Sequence, residues 1–282
     1  MRRTKSEINA LRDALAEIAG RERPLTVRGL YYRAESAGLV GKDKAGERTV
    51  QRLALAMRRG GQIPYEWVTD GTRYQLKSES WSSAQEALRV CASTYRRMVW
   101  LDQPVYVEVW SEKDAISGTI MPVTEEWDVP LMVARGFSSE TFLYTSAQQM
   151  RRVGKPTVIL QVGDHDPSGV SAWRTVQREL PRFAPEIEFE FRRVAVTPEQ
   201  IAAYDLQTRP TKPKDPRRTA FEAEFGAGAP SIEVDAMPST ELRRLLREAI
   251  ESYIDADTFD LHREIERQER DGLARMSVAG QR

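Results

Sequence analysis

TVILQVGDHDPSG, residues 157–169, is the stretch from which the rest of this chain is read. Thr157 to Val162 is a short run rich in Val, Ile and Leu that stops at Gly163, the pattern of a buried strand. Ligands of open α/β sheets gather outside such carboxyl ends. In the loop beyond, Asp164 and Asp166 bring two carboxylates to one region. Hard oxygen donors of this kind suit Mg²⁺, which takes few protein carboxylates and keeps waters for phosphate oxygens. Pro167 and Ser168 then open a helix whose N-terminus offers free N–H groups to an anion. The same D-x-D-P-x-G pattern is also a turn with a helix cap.

Upstream, VYVEVWSEKDAISG, residues 105–118, repeats the arrangement. A buried-strand pattern breaks into Ser111, Glu112, Lys113 and Asp114 before a helical stretch. Two parallel strands ending in acid bring Glu112 toward Asp164 and Asp166, with Lys113 nearby and expected on DNA. Like charges raise one another's pKa, so either a cation offsets the repulsion or one carboxyl stays protonated as a general acid. Alternatively, Glu112 simply complements a helix dipole.

Around these two motifs the back half alternates. Strands are expected near 105–110, 130–134, 156–162 and 187–196, with helices near 114–126, 139–152 and 168–180, which implies parallel βαβ units. RGFSS, residues 135–139, opens one helix, with Ser138 or Ser139 as its cap or Arg135 turned toward phosphate. Thr208 to Arg218 reads as an exposed basic loop, either on DNA or merely solvated. Residues 231–250 read as a strand, an acidic turn carrying Glu233 and Asp235, and an amphipathic helix. Residues 257–282 read as a charged helix and tail.

The front half is helical. Ile8, Leu11, Leu15 and Ile18 repeat at helical spacing before Gly20. Thr26 caps a second helix running to about Ala37, closed by Gly38. A third, from about Gly46 to Arg59, turns Val50, Leu53, Ala54 and Met57 inward and Arg48, Gln51, Arg52, Arg58 and Arg59 outward. Ile63 to Val68 reads as a strand, and Asp70-Gly71 as a hairpin turn before Arg73 and Tyr74. This is the order of a winged helix-turn-helix, whose third helix enters the major groove. A helical domain with a solvated basic face has the same pattern. Trp81, Ala84, Leu88, Cys91 and Tyr95 mark a connecting helix over residues 80–98, with Cys91 as a core thiol.

Glu112-Lys113 after one strand and D-H-D-P-S-G after another resemble the Toprim fold of topoisomerases, primases and related nucleases. The D-x-D-P-x-G form is similar to that of the type IIB topoisomerase (topoisomerase VI) A subunit and the related meiotic double-strand-break protein. A second motif agrees. In LTVRGLYYRAESAGL, residues 25–39, R-x-x-Y-Y resembles the segment around that family's nucleophilic tyrosine. The resemblance implies Tyr32 as nucleophile, Arg28 as its electrophilic partner, and Glu112, Asp164 and Asp166 as ligands of Mg²⁺ beside the scissile phosphate, with Glu233 and Asp235 adding to the metal environment. Arg28 and Tyr32, at i and i+4, share a helix face. His165 stands where the family has Gly and is expected in solvent or behind the ligands; Tyr31 is expected in the core.

The resemblance therefore implies a C-terminal α/β Toprim domain of Rossmann-like parallel sheet, residues 99–282, preceded by a mainly helical winged-helix domain, residues 1–98. It implies Mg²⁺-dependent cleavage of double-stranded DNA through a 5′-phosphotyrosyl link, and a homodimer in which one protomer's tyrosine works with the other's metal site. The chain has no third stretch suited to an ATPase module, so a separate ATPase subunit is a possible partner. Other readings of the same residues are a Toprim nuclease using metal-activated water, with both tyrosines in packing roles, and a non-catalytic DNA-binding protein.

Charge and composition fit these expectations. The 282 residues carry no net charge, yet residues 1–100 hold 19 Lys and Arg against 11 Asp and Glu, and the remainder 23 against 31. A basic front and an acidic back suit a protein that grips nucleic acid with one part and positions cations with the other. A single cysteine excludes a disulfide framework. No run approaches the roughly 20 apolar residues of a membrane span. MRRTKSEINALRD lacks a signal-peptide apolar core. A cytoplasmic, nucleoid-associated location is expected.

Overall fold

The computed structural model describes residues 3–69, 79–134 and 138–279. Helix α1 (Lys5–Glu22) starts at a capping box in which Thr4 and Glu7 satisfy each other's backbone N–H groups. It continues through Gly20 and stops at Arg23, which is extended because Pro24 follows. A two-residue strand β1 (Leu25–Thr26) leads into α2 (Val27–Ser36), where the Thr26 hydroxyl accepts from the Gly29 N–H. Asp43 caps α3 (Lys44–Arg59) in the same way through Gly46. Leu11, Leu15, Leu30, Val50, Leu53 and Met57 form one apolar core that also takes in Tyr31 and Tyr32.

The expected strand over residues 63–68 is instead a 3₁₀ turn, Tyr65–Trp67, followed by β2 (Val68–Thr69). Pro64 starts the turn, and β2 pairs in parallel with β1, Leu25 beside Val68 and Thr26 beside Thr69. The hairpin with Arg73 and Tyr74 lies outside the described residues, as does Arg135.

The connecting helix is shorter than expected. Ser83 caps α4 (Ala84–Thr94), and none of its residues is buried. Cys91 is exposed, correcting its reading as a core thiol. Helical spacing gave the stripe, but the charge-rich helix over Ala256–Ala279 that packs against it covers only part of the stripe.

Next come β3 (Tyr106–Ser111), α5 (Ser117–Glu126), β4 (Leu131–Val133), α6 (Glu140–Val153), β5 (Thr157–Val162), α7 (Pro167–Phe183) and β6 (Phe189–Ala195). The four strands form a parallel sheet in the order β4-β3-β5-β6. All six residues of β5 are buried, because helices cover both faces. On one face Val107, Val109, Val158 and Leu160 meet Ile120 and Val123 of α5, with Leu246 and Ile250 from further on. On the other, Trp110 and Ile159 meet Leu143 and Met150 of α6 and Trp173 and Leu180 of α7.

After β6 the chain forms α8 (Pro198–Ala203), β7 (Arg209–Pro210), α9 (Arg218–Phe225) and β8 (Pro230–Ser231), the last strand antiparallel to β7. A 3₁₀ turn, Val234–Ala236, leads to α10 (Ser239–Glu251) and α11 (Ala256–Ala279). The helical front packs on this segment. Arg33 donates to the Ala236 carbonyl, and Arg243 donates to the carbonyls of Glu22, Arg23 and Pro24. Gly118 at the start of α5 meets Thr69 so closely that a Cβ there would lie 1.9 Å from Thr69 Oγ1. The protein is thus mixed α/β: a helical front against a parallel sheet covered on both sides.

Candidate active site

Register sets the geometry. Ser111 at the end of β3 pairs with Val162 at the end of β5, so Glu112 and the Gly163-Asp164 loop emerge at one level. The two segments then touch. A Cβ on Gly169 would lie 2.4 Å from the Asp164 carbonyl and 3.0 Å from Glu112 Oε1, so only glycine admits this approach of α7. Burial, with Asp164 and Asp166 nearby, pushes the Glu112 carboxyl up to about 7. Glu112 has no hydrogen bond or ion pair among the described residues. Burial also raises Asp164, against the pull of Lys113 and of the Val234 N–H, which donates to Oδ1 at 2.7 Å. Asp166 caps α7, its Oδ1 accepting from the Gly169 N–H at 2.7 Å. The capping reading of this motif therefore holds for one oxygen of Asp166.

Between the aspartates, His165 is buried, which excludes solvent of its two expected places. Its backbone pairs with Ile232 in both directions, and its ring packs on Phe221 and Phe225 at 5.1 and 4.6 Å between centroids. Burial lowers its pKa to about 4, so the ring is neutral at pH 7.

Two cations lie among the acids. Arg193, on β6, donates to the Gly163 and Asp164 carbonyls beneath the loop. Burial lowers it to about 10, against the attraction of Glu112, Asp164 and Asp166, and it stays charged. Lys113 reaches Asp235, Glu233 Oε2 at 2.8 Å and Asp164 Oδ1 at 3.5 Å. Burial opposes its charge, but the three carboxylates outweigh that and hold it above the usual lysine range. Lys113, expected on DNA, thus faces inward.

Tyr32 closes the network. Its ring is 6 % exposed, in the core of the helical front, and its hydroxyl accepts from Arg28 at 3.4 Å and from Arg209 at 3.2 Å. Both guanidiniums also bind Glu233, Arg28 at 2.5 Å and Arg209 at 3.3 Å. Burial, with Glu233 nearby, holds the phenol pKa above its ordinary value, and Arg28 and Arg209 offset only part of that. Burial disfavours the charge of Arg28, yet Glu233 more than restores it. Glu233 is itself lowered: burial is outweighed by Lys113, Arg28 and Arg209. Tyr32, Arg28, Glu233, Lys113 and Asp164 therefore form one continuous chain of contacts within a single polypeptide. Tyr31 is buried beside Tyr32, its ring 5.3 Å away, in the core as expected.

Sequence reading placed Arg209 in an exposed basic loop, on DNA or merely solvated, and passed over Arg193. The signal for Arg193 was available: an arginine directly before the apolar Val194 to Val196, at the level where the other strands end in acid. Arg48, Arg52 and Arg59 lie exposed on the outer face of α3, while Arg58 stacks over Tyr65 with its guanidinium 4.6 Å from the ring centroid. Arg48, Arg52 and Arg59 form no ion pair among the described residues.

The donor set fits Mg²⁺. Glu112 is unbonded among the described residues, and the hydrogen bonds to Asp164 and Asp166 fall on one oxygen of each. Among those residues no three acidic, histidine or cysteine side chains converge as a closed ligand set; Mg²⁺ needs only one or two carboxylates and completes its shell with water. No protein-family model matches the chain, and no curated protein matches it.

Proposed function

We propose that the chain is a Mg²⁺-dependent DNA-cleaving enzyme of the topoisomerase VI A-subunit type, with a winged-helix domain over residues 1–98 and a Toprim domain over residues 99–282. One observation carries the reading: the Tyr32 hydroxyl sits between Arg28 and Arg209, and both arginines are tied through Glu233 to Lys113 and the acids at the carboxyl end of the sheet.

In this reading the arginines of α3 lie on the DNA backbone and Tyr32 attacks a phosphate. A phenol with an ordinary pKa near 10 is a weak nucleophile, and flanking guanidiniums favour its anion. The phenol proton goes to solvent and a 5′-phosphotyrosyl bond forms. The bond to the 3′ oxygen breaks, and that oxygen takes up a proton. Glu112, Asp164 and Asp166 would hold Mg²⁺, which when bound would offset the charge of phosphate and carboxylates. Two copies provide one such site per strand.

The test is direct. Protein, supercoiled DNA and Mg²⁺ are mixed, denatured and examined for protein attached to DNA ends. Adducts are expected, and Tyr32→Phe and Asp164→Ala should each abolish them. Full cutting by Asp164→Ala removes the metal-site claim. The burial of Tyr32 favours a second reading, a Toprim nuclease that hydrolyses DNA with Tyr32 in a packing role. Cleavage with free 5′ ends in Tyr32→Phe selects it. Binding without cleavage across metals and partners selects a DNA-binding protein.

A further inference from the structure

A cavity of about 260 Å³ lies between the two halves of this site. Its wall includes Asp166 and Ser168 from the acidic loop, Arg209, Lys212 and Arg217 from the basic segment, and Glu233. It therefore borders an acid assigned to Mg²⁺ on one side and a guanidinium bonded to Tyr32 on the other. We propose that this cavity seats one phosphodiester of a nucleic-acid backbone, and that Arg209 is the positioning residue that joins it to Tyr32. The proposal rests on the cleavage reading above.

The geometry of Arg209 is the first argument. One terminal nitrogen, NH1, faces Glu233 Oε1 at 3.3 Å, and the other, NH2, faces the Tyr32 hydroxyl at 3.2 Å. Its guanidinium carbon is 5.5 Å from the Tyr32 ring centroid, and its side chain is 44 % exposed, on the cavity wall. A guanidinium has five N–H donors in a fixed fork, so it can take a phosphate oxygen while keeping the phenol.

Glu233 is the second argument. It has three cationic partners, Arg28 at 2.5 Å, Lys113 at 2.8 Å and Arg209 at 3.3 Å, and Arg209 is the most distant. If Arg209 turns one N–H to a phosphate, Glu233 keeps two cations and stays compensated. Charge is the third. Lys212 is exposed at the mouth, and Arg217, held by Asp215 at 3.0 Å, adds a second guanidinium. A backbone phosphate entering there meets three cations; of the acids on the wall, Asp166 is assigned to Mg²⁺, Asp215 is paired with Arg217, and Glu233 is paired with Arg28, Lys113 and Arg209.

The test uses the full chain with 3-fluorotyrosine in place of its nine tyrosines, the Tyr32 ¹⁹F resonance being assigned as the one missing from Tyr32→Phe. A short duplex DNA is titrated in, and inorganic phosphate separately. The Tyr32 resonance should move with duplex and, at higher concentration, with phosphate. In Arg209→Gln the response should weaken about tenfold, as for one lost charge-assisted contact, and Arg209→Lys should restore part of it. Lys212→Ala should weaken duplex binding without moving the resonance of the free protein.

A Tyr32 resonance unmoved by saturating duplex, or an equal response in Arg209→Gln, overturns the proposal. Adduct formation at the wild-type rate in Arg209→Gln also overturns it while leaving the cleavage reading intact. The expected ¹⁹F response without adducts under any divalent cation sinks the cleavage reading and leaves the phosphate seat standing.

Discussion

Two groups of cations in this chain have opposite surroundings. On the outer face of α3, Arg48, Arg52 and Arg59 point away from the core, without ion pairs among the described residues. At the junction of the helical front and the sheet edge, Arg28, Lys113 and Arg209 converge on Glu233, and Lys113 also meets Asp164 and Asp235. The outer set is available to a polyanion and contributes little to stability. The inner set is part of the structure: Lys113, largely buried, depends on its acids, and the half-exposed Arg28 and Arg209 share Glu233 with it. Equal residue types therefore carry different roles, decided by what faces them.

The largest expected effect is at Lys113. Lys113→Met leaves Asp164, Glu233 and Asp235 without their shared cation, and urea unfolding at pH 7 should show a loss of about 3–5 kcal/mol. The deficit should shrink as pH falls through the carboxylate range, because the repelling acids become neutral; a deficit constant with pH would break the contrast between inner and outer cations.

Glu112→Gln comes next, with the opposite sign. A carboxyl whose folded pKa is raised from the ordinary 4.5 to about 7 makes the folded state lose stability as pH rises between those values. The amide removes that loss. Discounted for remaining solvent contact, the variant should be about 2 kcal/mol more stable at pH 8 and unchanged at pH 4. Mg²⁺ should raise the wild-type unfolding temperature and raise that of Glu112→Gln less, since a ligand that binds only the folded state stabilises it. Equal shifts would remove Glu112 from the metal site.

Smallest in stability is the outer set. Arg48→Ala, Arg52→Ala and Arg59→Ala should each stay within about 0.5 kcal/mol of wild type. Each should nevertheless reduce the salt dependence of DNA binding by about one unit of slope. Unchanged slopes would leave this face merely solvated.

A mixing experiment sharpens the comparison between protomers. The family resemblance implies a tyrosine serving its partner's acids, whereas here Tyr32 is linked to Glu233 of its own chain. Combining Tyr32→Phe with Asp164→Ala protein restores one intact site per mixed dimer, and hence nicking, only if the site is shared between copies. A mixture that stays inactive places both halves in one chain.

The sheet was legible because β3 and β5 are mostly apolar, broken by Glu108 and Gln161, and lead into acid, and a strand buried on both faces leaves that trace. The N-caps at Thr26 and Ser139 were equally local. What escaped depended on distant partners. β1 and β2 are two residues each and exist only because Leu25 finds Val68. His165 turns inward because its backbone pairs with Ile232, a partner its neighbours do not reveal. Cys91 repeats with its helix, but the sequence does not say how much of that stripe α11 covers. Among site residues, Glu112, Asp164 and Asp166 could be assembled from strand ends. Arg209 could not, since nothing around it announces Tyr32.

Gly118 gives the junction a mechanical property as well as a chemical one. With a Cβ at this position only 1.9 Å from Thr69 Oγ1, the smallest possible side chain acts as a shim whose thickness sets the gap between the tyrosine layer and the sheet. Gly118→Ala changes no charge and removes no hydrogen bond, yet it must widen that gap or tilt the layer. It therefore provides a way to vary the distance between Tyr32 and the carboxylates while leaving every reacting group in place.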